Sequence, residues 1–256
     1  MNYYIEDFTE DNYKRLLRTV QEKSHFASYE ECIKTNGVVW RHDIDISVNR
    51  ALALYQIEKE LGIKAYYFVY MHSSFYSVLE KEIVKMLKTI SESAIIGLHF
   101  EPSFYNLSTE DIGGLEQKIL FEKNMLESIL DVEILHMSFH NPDVGGSWHL
   151  LPYEELGGLY NVYGDNVRNN LMYCSDSNGY WRFQRLENIL MSLDNSSKFQ
   201  VLTHPVWWQE CSMFPYERVE RCAKGRMEKS LEIYKSDLEK CNRVNVTKEK
   251  MYDKNY

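Results

Sequence analysis

The fold is decided by one segment of the chain, Gly37-Val38-Val39-Trp40-Arg41-His42-Asp43-Ile44-Asp45-Ile46-Ser47. Its first half is an apolar run of the kind that forms a buried β-strand, and its second half carries ionisable side chains. Ser47 is a residue type that commonly caps a helix, and apolar residues follow it at helical spacing, at positions 48, 51, 52 and 55. The segment therefore predicts a strand that ends in charged residues and passes directly into a helix.

Four more apolar runs predict strands, at residues 65–70, 94–98, 134–138 and 199–202. Helical patterns separate the first three of these runs, and the alternation of strand and helix is typical of parallel βαβ units. Between residues 150 and 182 the pattern is irregular and does not place any strand. The chain is therefore expected to form an α/β fold around a parallel sheet.

Two further patterns concern helices and the extent of the domain. Ser77 and Glu80 have the spacing of a capping box, which predicts a helix that begins there. The segment from Tyr216 to about Leu238 predicts a charged C-terminal helix with an apolar side at positions 219, 231, 234 and 238. We expect a single domain over residues 1–256, with its core at about 36–210, an N-terminal helical extension and the C-terminal helix.

Charge and composition exclude several classes of function. The chain has 29 basic and 38 acidic side chains, a formal charge of −9, and no dense basic block near the motifs, so nucleic acid is not an expected partner. No signal-peptide pattern and no apolar run of membrane-spanning length are present, so we expect a cytoplasmic protein without stable membrane insertion. The five scattered cysteines form no C-x-x-C pair, which argues against a disulfide framework or a thiolate zinc site. The sequence does not fix the oligomeric state.

Ionisable residues follow three of the later runs as they follow the first. They lie in Gly97-Leu98-His99-Phe100-Glu101, Ser138-Phe139-His140-Asn141-Pro142 and Leu202-Thr203-His204-Pro205. In parallel α/β folds the carboxyl ends of the strands meet at one face, where ligands bind. We therefore expect these residues and the acidic pair of the first segment to share one pocket.

The shared pocket predicts a divalent metal, with zinc as the best match. Zinc is commonly held by a carboxylate oxygen and imidazole nitrogens with one position left open, and it lowers the pKa of a bound water toward about 7. One carboxylate of Asp43 and Asp45 is expected to bind the metal while the other accepts a proton. His99 and His140 are the best-placed imidazoles. The alternative for Asp43 is a structural ion pair with the adjacent Arg41.

Two further roles are predicted around this pocket. His204 follows a strand and precedes Pro205, so it is placed to protonate a leaving amine. Asp165 and Asp176 are each interpreted either as a functional group that orients His204 or binds substrate, or as a turn residue, which is the favoured interpretation. The candidate substrate-binding residues, some of them aromatic groups on which a sugar can stack, are Arg41, His42, Glu101, Tyr76 and Trp207.

Taken together, these ordered motifs resemble those of the polysaccharide deacetylases, the NodB-homology group of carbohydrate esterase family 4. The segments that carry the resemblance are R-H-D-I-D at 41–45, I-G-L-H-F-E at 96–101, S-F-H-N-P at 138–142 and L-T-H-P-V-W-W at 202–208. The similarity is closer to the divergent WbmS-like branch and runs from about Val38 to Trp208. Each motif is weak alone, but the ordered set is specific.

The resemblance implies a distorted (β/α)7 TIM-like barrel and metal-dependent hydrolysis of an N-acetyl group on a sugar. On the family pattern the base falls on Asp43, one metal ligand on Asp45 and another on His99. The catalytic acid falls on His204. The substrate implied is an N-acetylated sugar or a precursor of a surface polysaccharide.

The sequence departs from the family pattern at two places. The usual second motif has another histidine four residues after the first, and Ser103 stands there. His140 is the expected replacement, with Glu101 as the weaker candidate because a His-x-Glu pair on an extended chain shares a face. The usual arginine that orients the base is also missing, which leaves that part to Arg41 or His42.

Two other functions stay open on the sequence. The Ser103 departure suggests a non-catalytic carbohydrate-binding or assembly protein on a deacetylase scaffold. The Asp43-Ile44-Asp45 pair also suits a metal-dependent glycosyltransferase, although no glycine-rich phosphate loop accompanies it.

Overall fold

A computed structural model describes residues 3–108, 110–142, 147–181 and 184–247 of the chain. Within these residues one sheet of eight strands is formed. The strands are β1 (Gly37–Ile44), β2 (Tyr66–Tyr70), β3 (Ile95–Phe100), β4 (His136–Phe139), β5 (Glu155–Leu156), β6 (Leu159–Asn161), β7 (Met172–Ser175) and β8 (Lys198–Thr203). Their order across the sheet is β5-β6-β4-β3-β2-β1-β8-β7. Every neighbouring pair is parallel except β5 with β6, so seven strands run in one direction.

The α-helices of the described residues precede, connect and follow these strands. They are α1 (Glu10–Lys23), α2 (Tyr29–Lys34), α3 (Val48–Glu60), α4 (Lys81–Ser91), α5 (Ile112–Leu130), α6 (Asp165–Asn170), α7 (Leu186–Met191) and α8 (Pro215–Lys240). The predicted α/β fold with its parallel sheet is confirmed. None of the helices in the described part of the chain is long and apolar enough to cross a membrane.

The sheet is curled like part of a barrel. Strands β1 and β6 are separated by three others, which on a flat sheet corresponds to about 19 Å at the usual strand spacing. Arg41 on β1 nevertheless donates to the hydroxyl of Tyr163, two residues beyond β6, over 3.2 Å. The guanidinium also lies 4.7 Å from the centre of the Tyr163 ring. The curvature therefore brings residues from distant strands into one enclosed space, in the manner of the expected distorted barrel.

Strand β1 lies near the middle of the sheet and all eight of its residues are buried. It pairs with β2 on one side and with β8 on the other. Ser47 then caps α3 by accepting from the backbone N–H of Arg50 (3.3 Å). The predicted passage from strand through charged residues to helix is confirmed.

The outer face of β1 carries a buried polar network instead of a purely apolar core. His42 Nε2 lies 2.7 Å from Glu58 on α3, and the carboxylate of Glu58 also accepts from the hydroxyls of Tyr13 and Tyr67. His42 Nδ1 lies 2.7 Å from the hydroxyl of Thr203 at the end of β8. Burial raises the pKa of Tyr13 and Tyr67, with the charge of Glu58 adding to the effect, so both hydroxyls stay protonated donors. The network ties α1, α3 and β2 to β1 and β8.

Two helix predictions need correction. The Ser77 hydroxyl accepts from the backbone N–H of Leu79 instead of capping a helix, and α4 begins only at Lys81. The C-terminal helix is slightly longer than predicted, and Leu231 and Tyr234 on its predicted apolar side are 61% and 59% exposed. Helical periodicity reports an apolar stripe without reporting whether anything packs on it.

The buried network supplies a stability test with a matched control. We expect Glu58→Gln to lower the free energy of unfolding by about 3 kcal/mol, because His42 and two tyrosine hydroxyls lose a shared charged acceptor. Glu60→Gln, on the same helix, removes an exposed carboxylate whose partner is Lys14 and should leave stability almost unchanged. Urea unfolding midpoints of the two variants measure the difference, and equal midpoints would contradict the argument.

Candidate active site

Three potential metal ligands converge at the carboxyl edge of the sheet. Asp45 follows β1, His99 lies on β3 and His140 directly follows β4. One ligand atom from each lies within 4.8 Å of the other two. His99 Nε2 is 3.2 Å from Asp45 Oδ1 and 3.2 Å from His140 Nδ1, and His140 Nδ1 is 3.5 Å from the same carboxylate oxygen. The structure therefore brings together the three residues that the sequence suggested as ligands.

The arrangement fits a zinc-like ion. Ligand atoms on a tetrahedral zinc at about 2.0–2.1 Å lie about 3.3 Å from each other, close to the separations seen here. Asp45 Oδ1 is buried, and within the described residues it accepts no hydrogen bond of good geometry, although two imidazole nitrogens lie beside it. Burial by itself opposes the charged carboxylate, but the imidazoles of His140 and His99 outweigh it and lower the pKa of Asp45 well below its usual range. Two imidazoles and one carboxylate leave a fourth position open, as in catalytic zinc sites.

Partners on the far side of each imidazole hold the two rings. His99 Nδ1 lies 2.6 Å from the hydroxyl of Ser138 on β4; donating there leaves Nε2 as the free lone pair. His140 Nε2 lies 3.0 Å from the side-chain amide of Asn141. The nearer amide atom is Nδ2; turning the amide by 180° exchanges it with Oδ1, which then accepts from Nε2–H and leaves Nδ1 free for a metal. Asn141 has φ of 41°, a left-handed conformation that asparagine tolerates better than most residues.

His140, and not Glu101, stands with the other two ligands. The ring of Tyr70 stacks on His140 with centroids 4.2 Å apart and an angle of 17°. Glu101 accepts from the hydroxyl of Tyr70 and from the hydroxyl of Ser103 (2.7 Å). Glu101 therefore supports the residue that packs on His140, and Ser103, where the family pattern has a histidine, is exposed and lies outside the ligand group.

Arg41 binds the carboxylate of Asp43, as the sequence suggested for a group that orients it. It contacts Asp43 through two bonds, Nε to Oδ1 (3.2 Å) and Nη2 to Oδ2 (2.7 Å). Both side chains are almost fully buried, and Asp43 Oδ2 lies 3.7 Å from His99 Nε2. Burial opposes the charged form of Asp43, but Arg41, followed by His99 and His204, lowers its pKa below the usual range. Asp43 is thus a fixed carboxylate at the side of the metal group.

His204 is held by Asp176 on the opposite side of the site. Its Nδ1 lies 2.7 Å from Asp176 Oδ1, and its Nε2 lies 3.8 Å from Asp45 Oδ2. Asp176 is fully buried and also accepts from the backbone N–H of His204 and the indole N–H of Trp208 (2.9 Å). Burial disfavours imidazolium, but the bond to Asp176 and the nearby carboxylates raise the pKa of His204 to about 9. In the metal-free protein His204 therefore favours the imidazolium form at neutral pH.

Several predicted substrate-binding residues are used inside the fold instead. Arg41 is fully buried against Asp43, and His42 is fully buried on the opposite face of β1, because neighbouring residues of a strand point to opposite sides. Tyr76 is buried, and its hydroxyl donates to the carbonyl of Ile44 (2.6 Å) and accepts from Tyr70 N–H (3.1 Å). Their burial is explained by contacts inside the fold, and a substrate contact from any of the three stays a prediction. Trp207 is half-buried, with its indole N–H buried and unpaired within the described residues.

The sequence did not assign a role to Ser138 or Tyr163, and it left Asp176 between two interpretations. Ser138 belongs to a quoted motif, so its place beside His99 followed from parallel register, since the two are paired across β3 and β4. Asp176 directly follows β7, the same strand-end signal that identified Asp45 and His140. The signal was lost because β7 has only four residues and a mixed polar pattern.

The comparisons with known proteins give distant structural likenesses only. No protein-family model and no curated protein matches the chain. A family 4 carbohydrate esterase from Bacillus anthracis is 14% identical over 90% of this chain and 94% of that one, with a TM-score of 0.41. The Streptococcus pyogenes deacetylase PplD, in complex with acetate, is 19% identical over 72% of this chain and 86% of that one, with a TM-score of 0.42.

A third similar structure is a mutant of BA3943, described as a pseudoenzyme of the same esterase family with restored enzymatic activity. The wild-type protein comes from Bacillus anthracis. The identity is 14% and the TM-score 0.41; the match covers 75% of this chain but only 63% of that one. Likenesses at this level assign no function to the chain.

The ligand set predicts which side chains control metal content. Protein purified without chelator should carry close to one divalent ion per chain by elemental analysis. Asp45→Ala and His140→Ala should lose that ion, because each removes one of three ligands. Ser103→Ala is the matched control and should keep it. Full metal content in His140→Ala, or its loss in Ser103→Ala, would contradict the ligand set.

The contact between Asp176 and His204 predicts a pH effect in the metal-free protein. Asp176→Asn should move the pKa of His204 from about 9 toward its ordinary value near 6.5, since the partner that most favours imidazolium loses its charge. A folded-state pKa above the unfolded value stabilises the protein fully below pH 6.5, and that stability is lost as pH rises through 9. NMR titration of the imidazole and urea midpoints across this window measure both effects. Asp165→Asn, at an exposed position, should change neither.

Proposed function

We propose that the chain is a divalent-metal-dependent hydrolase that removes an N-acetyl group from a sugar or a surface-polysaccharide precursor. One observation carries the proposal. Two histidines and one aspartate form a potential ligand set. The Asp43 carboxylate, held by Arg41, and the His204 imidazole, held by Asp176, each lie within 4 Å of one of these ligands. Hydrolysis of an amide needs these three functions: activation of water, a base and an acid.

Asp45, His99 and His140 are the residues that would hold the ion. Bound there, a zinc ion would act as a Lewis acid toward water and toward the carbonyl oxygen of the substrate. The role of the protein is to hold the two imidazole rings in a fixed orientation. Ser138 does this for His99, while Asn141 and the ring of Tyr70 do it for His140.

Asp43 is assigned as the general base. It lies beside His99 and is kept in the carboxylate form by Arg41, so it can accept the proton that the attacking water releases. The buried ion pair also fixes the direction of the carboxylate, because the two bonds from the guanidinium hold both oxygens. A base that cannot rotate is ready for transfer when the substrate arrives.

His204 is assigned as the general acid. In the metal-free protein the bond to Asp176 and the nearby carboxylates raise the pKa of His204 to about 9, and Asp176 on Nδ1 turns Nε2 toward the ligand group. As the C–N bond breaks, Nε2–H protonates the departing nitrogen, which leaves as an amine while the acyl group leaves as acetate. Water supplies the remaining oxygen and hydrogen, so the reaction is a balanced hydrolysis.

A carbohydrate substrate is supported by exposed aromatic rings near the centre. Phe104 stacks on His72 with ring centroids 3.4 Å apart, and the edge of His72 meets Tyr70 beside the ligand His140. Tyr173 is about half-exposed, on β7. Such rings offer flat apolar faces on which a sugar can stack while its hydroxyls stay solvated.

The glycosyltransferase interpretation of Asp43 and Asp45 loses its support in this geometry. That chemistry uses both carboxylates on a metal and a sugar diphosphate, but Asp43 is buried and bound at both oxygens by Arg41. Only Asp45 stands in the ligand group. The non-catalytic sugar-binding interpretation differs from the proposal in one measurable respect, the release of acetate.

The decisive experiment measures acetate and free amine released from N-acetylhexosamines presented as free, nucleotide-linked, lipid-linked and oligomeric sugars, with metal-loaded protein. Asp43→Asn and His204→Gln should keep near-stoichiometric metal while turnover falls by about 10²–10⁴-fold, the usual contribution of general acid–base catalysis. His25→Gln removes an exposed imidazole that precedes β1 in the chain. It serves as the control, and its turnover should be unchanged.

The outcomes separate the interpretations. Acetate release that disappears in both site variants supports the proposed hydrolase. Unchanged turnover in Asp43→Asn and His204→Gln would refute the roles given to them. Sugar binding without any acetate release, from protein that holds its metal, would replace the proposal with the carbohydrate-binding function.

A further inference from the structure

The C-terminal helix α8 is attached to the fold by one face of its first half. Arg218 is fully buried, and its guanidinium lies 5.0 Å from the centre of the Phe8 ring. Arg226 pairs with Glu80 at the start of α4 (2.6 Å). Beyond Arg226 almost every residue of the helix is exposed. At 1.5 Å per residue, more than 20 Å of helix therefore lies along the outside of the protein without covering a core.

An apolar seam runs along the opposite face of this helix. It consists of Met227, Leu231, Tyr234 and Leu238, which are spaced by four, three and four residues and fall within about 60° of one another around the helix axis. Met227, Leu231 and Tyr234 are 55%, 61% and 59% exposed. The spacing matches the a and d positions of two heptads. Leucine and tyrosine side chains at this density are unusual on a solvated helix face.

The charges beside the seam are complementary to a second copy of the same helix in the antiparallel direction. Glu228 and Lys235 flank the same side of the seam, at successive e positions of the heptad. An antiparallel copy that places Leu231 against Tyr234 brings Glu228 of each helix opposite Lys235 of the other. Neither residue has an ion-pair partner within the described part of its own chain. In the parallel direction the flanking positions bring no opposite charges together, because Ser230 and Ala223 occupy them.

The direction of the seam also leaves room for a partner. Arg218 and Arg226, which join the helix to the body, lie on the side of α8 away from Leu231. In an antiparallel pair the two bodies attach at opposite ends of the helices and on outward faces. The pairing therefore needs no change in the fold of either copy.

We propose that α8 pairs with α8 of a second copy of this chain as an antiparallel two-helix interface built on the seam Met227, Leu231, Tyr234 and Leu238. The apolar seam supplies the association, and the two Glu228–Lys235 contacts set direction and register. The active site lies on the curled sheet and is separate from this surface, so dimer formation and hydrolysis are tested independently.

Sedimentation equilibrium of the full chain over a concentration series tests the proposal. Wild-type protein should associate to a dimer, and Leu231→Asp should raise the dimer dissociation constant at least about tenfold, because two leucines leave the buried interface and two charges enter it. Ile233→Asp is the matched control. Ile233 is also half-exposed but lies on the side of the helix away from the seam, so its variant should associate like wild type. Both positions are exposed in the monomer, so both variants should keep the metal content of wild type.

Charge reversal tests direction and register. Glu228→Lys should weaken association by about threefold or more, because lysine then faces Lys235 of the partner at two symmetric places. The double variant with Glu228→Lys and Lys235→Glu should recover it. A monomer at all concentrations, or equal effects of Leu231→Asp and Ile233→Asp, would overturn the interface. Failure of the double variant to recover would overturn its antiparallel register.

Discussion

The alternation of side chains along β1 is the constraint on which the rest of the structure depends. Because successive residues of a strand point to opposite faces, Arg41 and Asp43 enter the barrel-like side while His42 enters the layer between sheet and helices. Arg41 fixes the carboxylate of Asp43 beside the ligand group, and His42 fixes the helices behind it. One strand thus supplies the proposed base and also the residue that anchors the helices behind it. A shift of one residue would move each to the other face.

Curvature of the sheet brings residues from other strands to the site beside β1. The potential ligands come from the ends of β1, β3 and β4, and the proposed acid comes from the end of β8 on the other side of β1. On a flat sheet these ends would be spread over several strand spacings of about 4.8 Å each. The curl brings these strand ends together. The side chain of Ser138 then fixes the ring of His99, and the side chain of Asp176 fixes the ring of His204.

Much of this site was readable from sequence because each main residue directly follows an apolar run. That rule identified Asp45, His99, His140 and His204, and it failed for Asp176 because β7 is short and its residues are not uniformly apolar. Local patterns also do not say which face a residue takes, so His42 and Tyr76 were placed near substrate when both are buried inside the fold. The exposed seam of α8 shows the same limit, since periodicity indicates an apolar face but not its partner.

The polar network behind β1 gives the N-terminal helix a part in the chemistry at the other face of the sheet. Tyr13 on α1 and Glu58 on α3 hold His42, and His42 in turn contacts the hydroxyl of Thr203, the residue immediately before the proposed acid. Removing α1 would open this buried chain of polar groups to water. The helix that precedes the sheet therefore supports the position of His204. A shortened protein beginning at β1 would keep every proposed reacting group but would lose the contacts of Tyr13 that hold His42 beside Thr203.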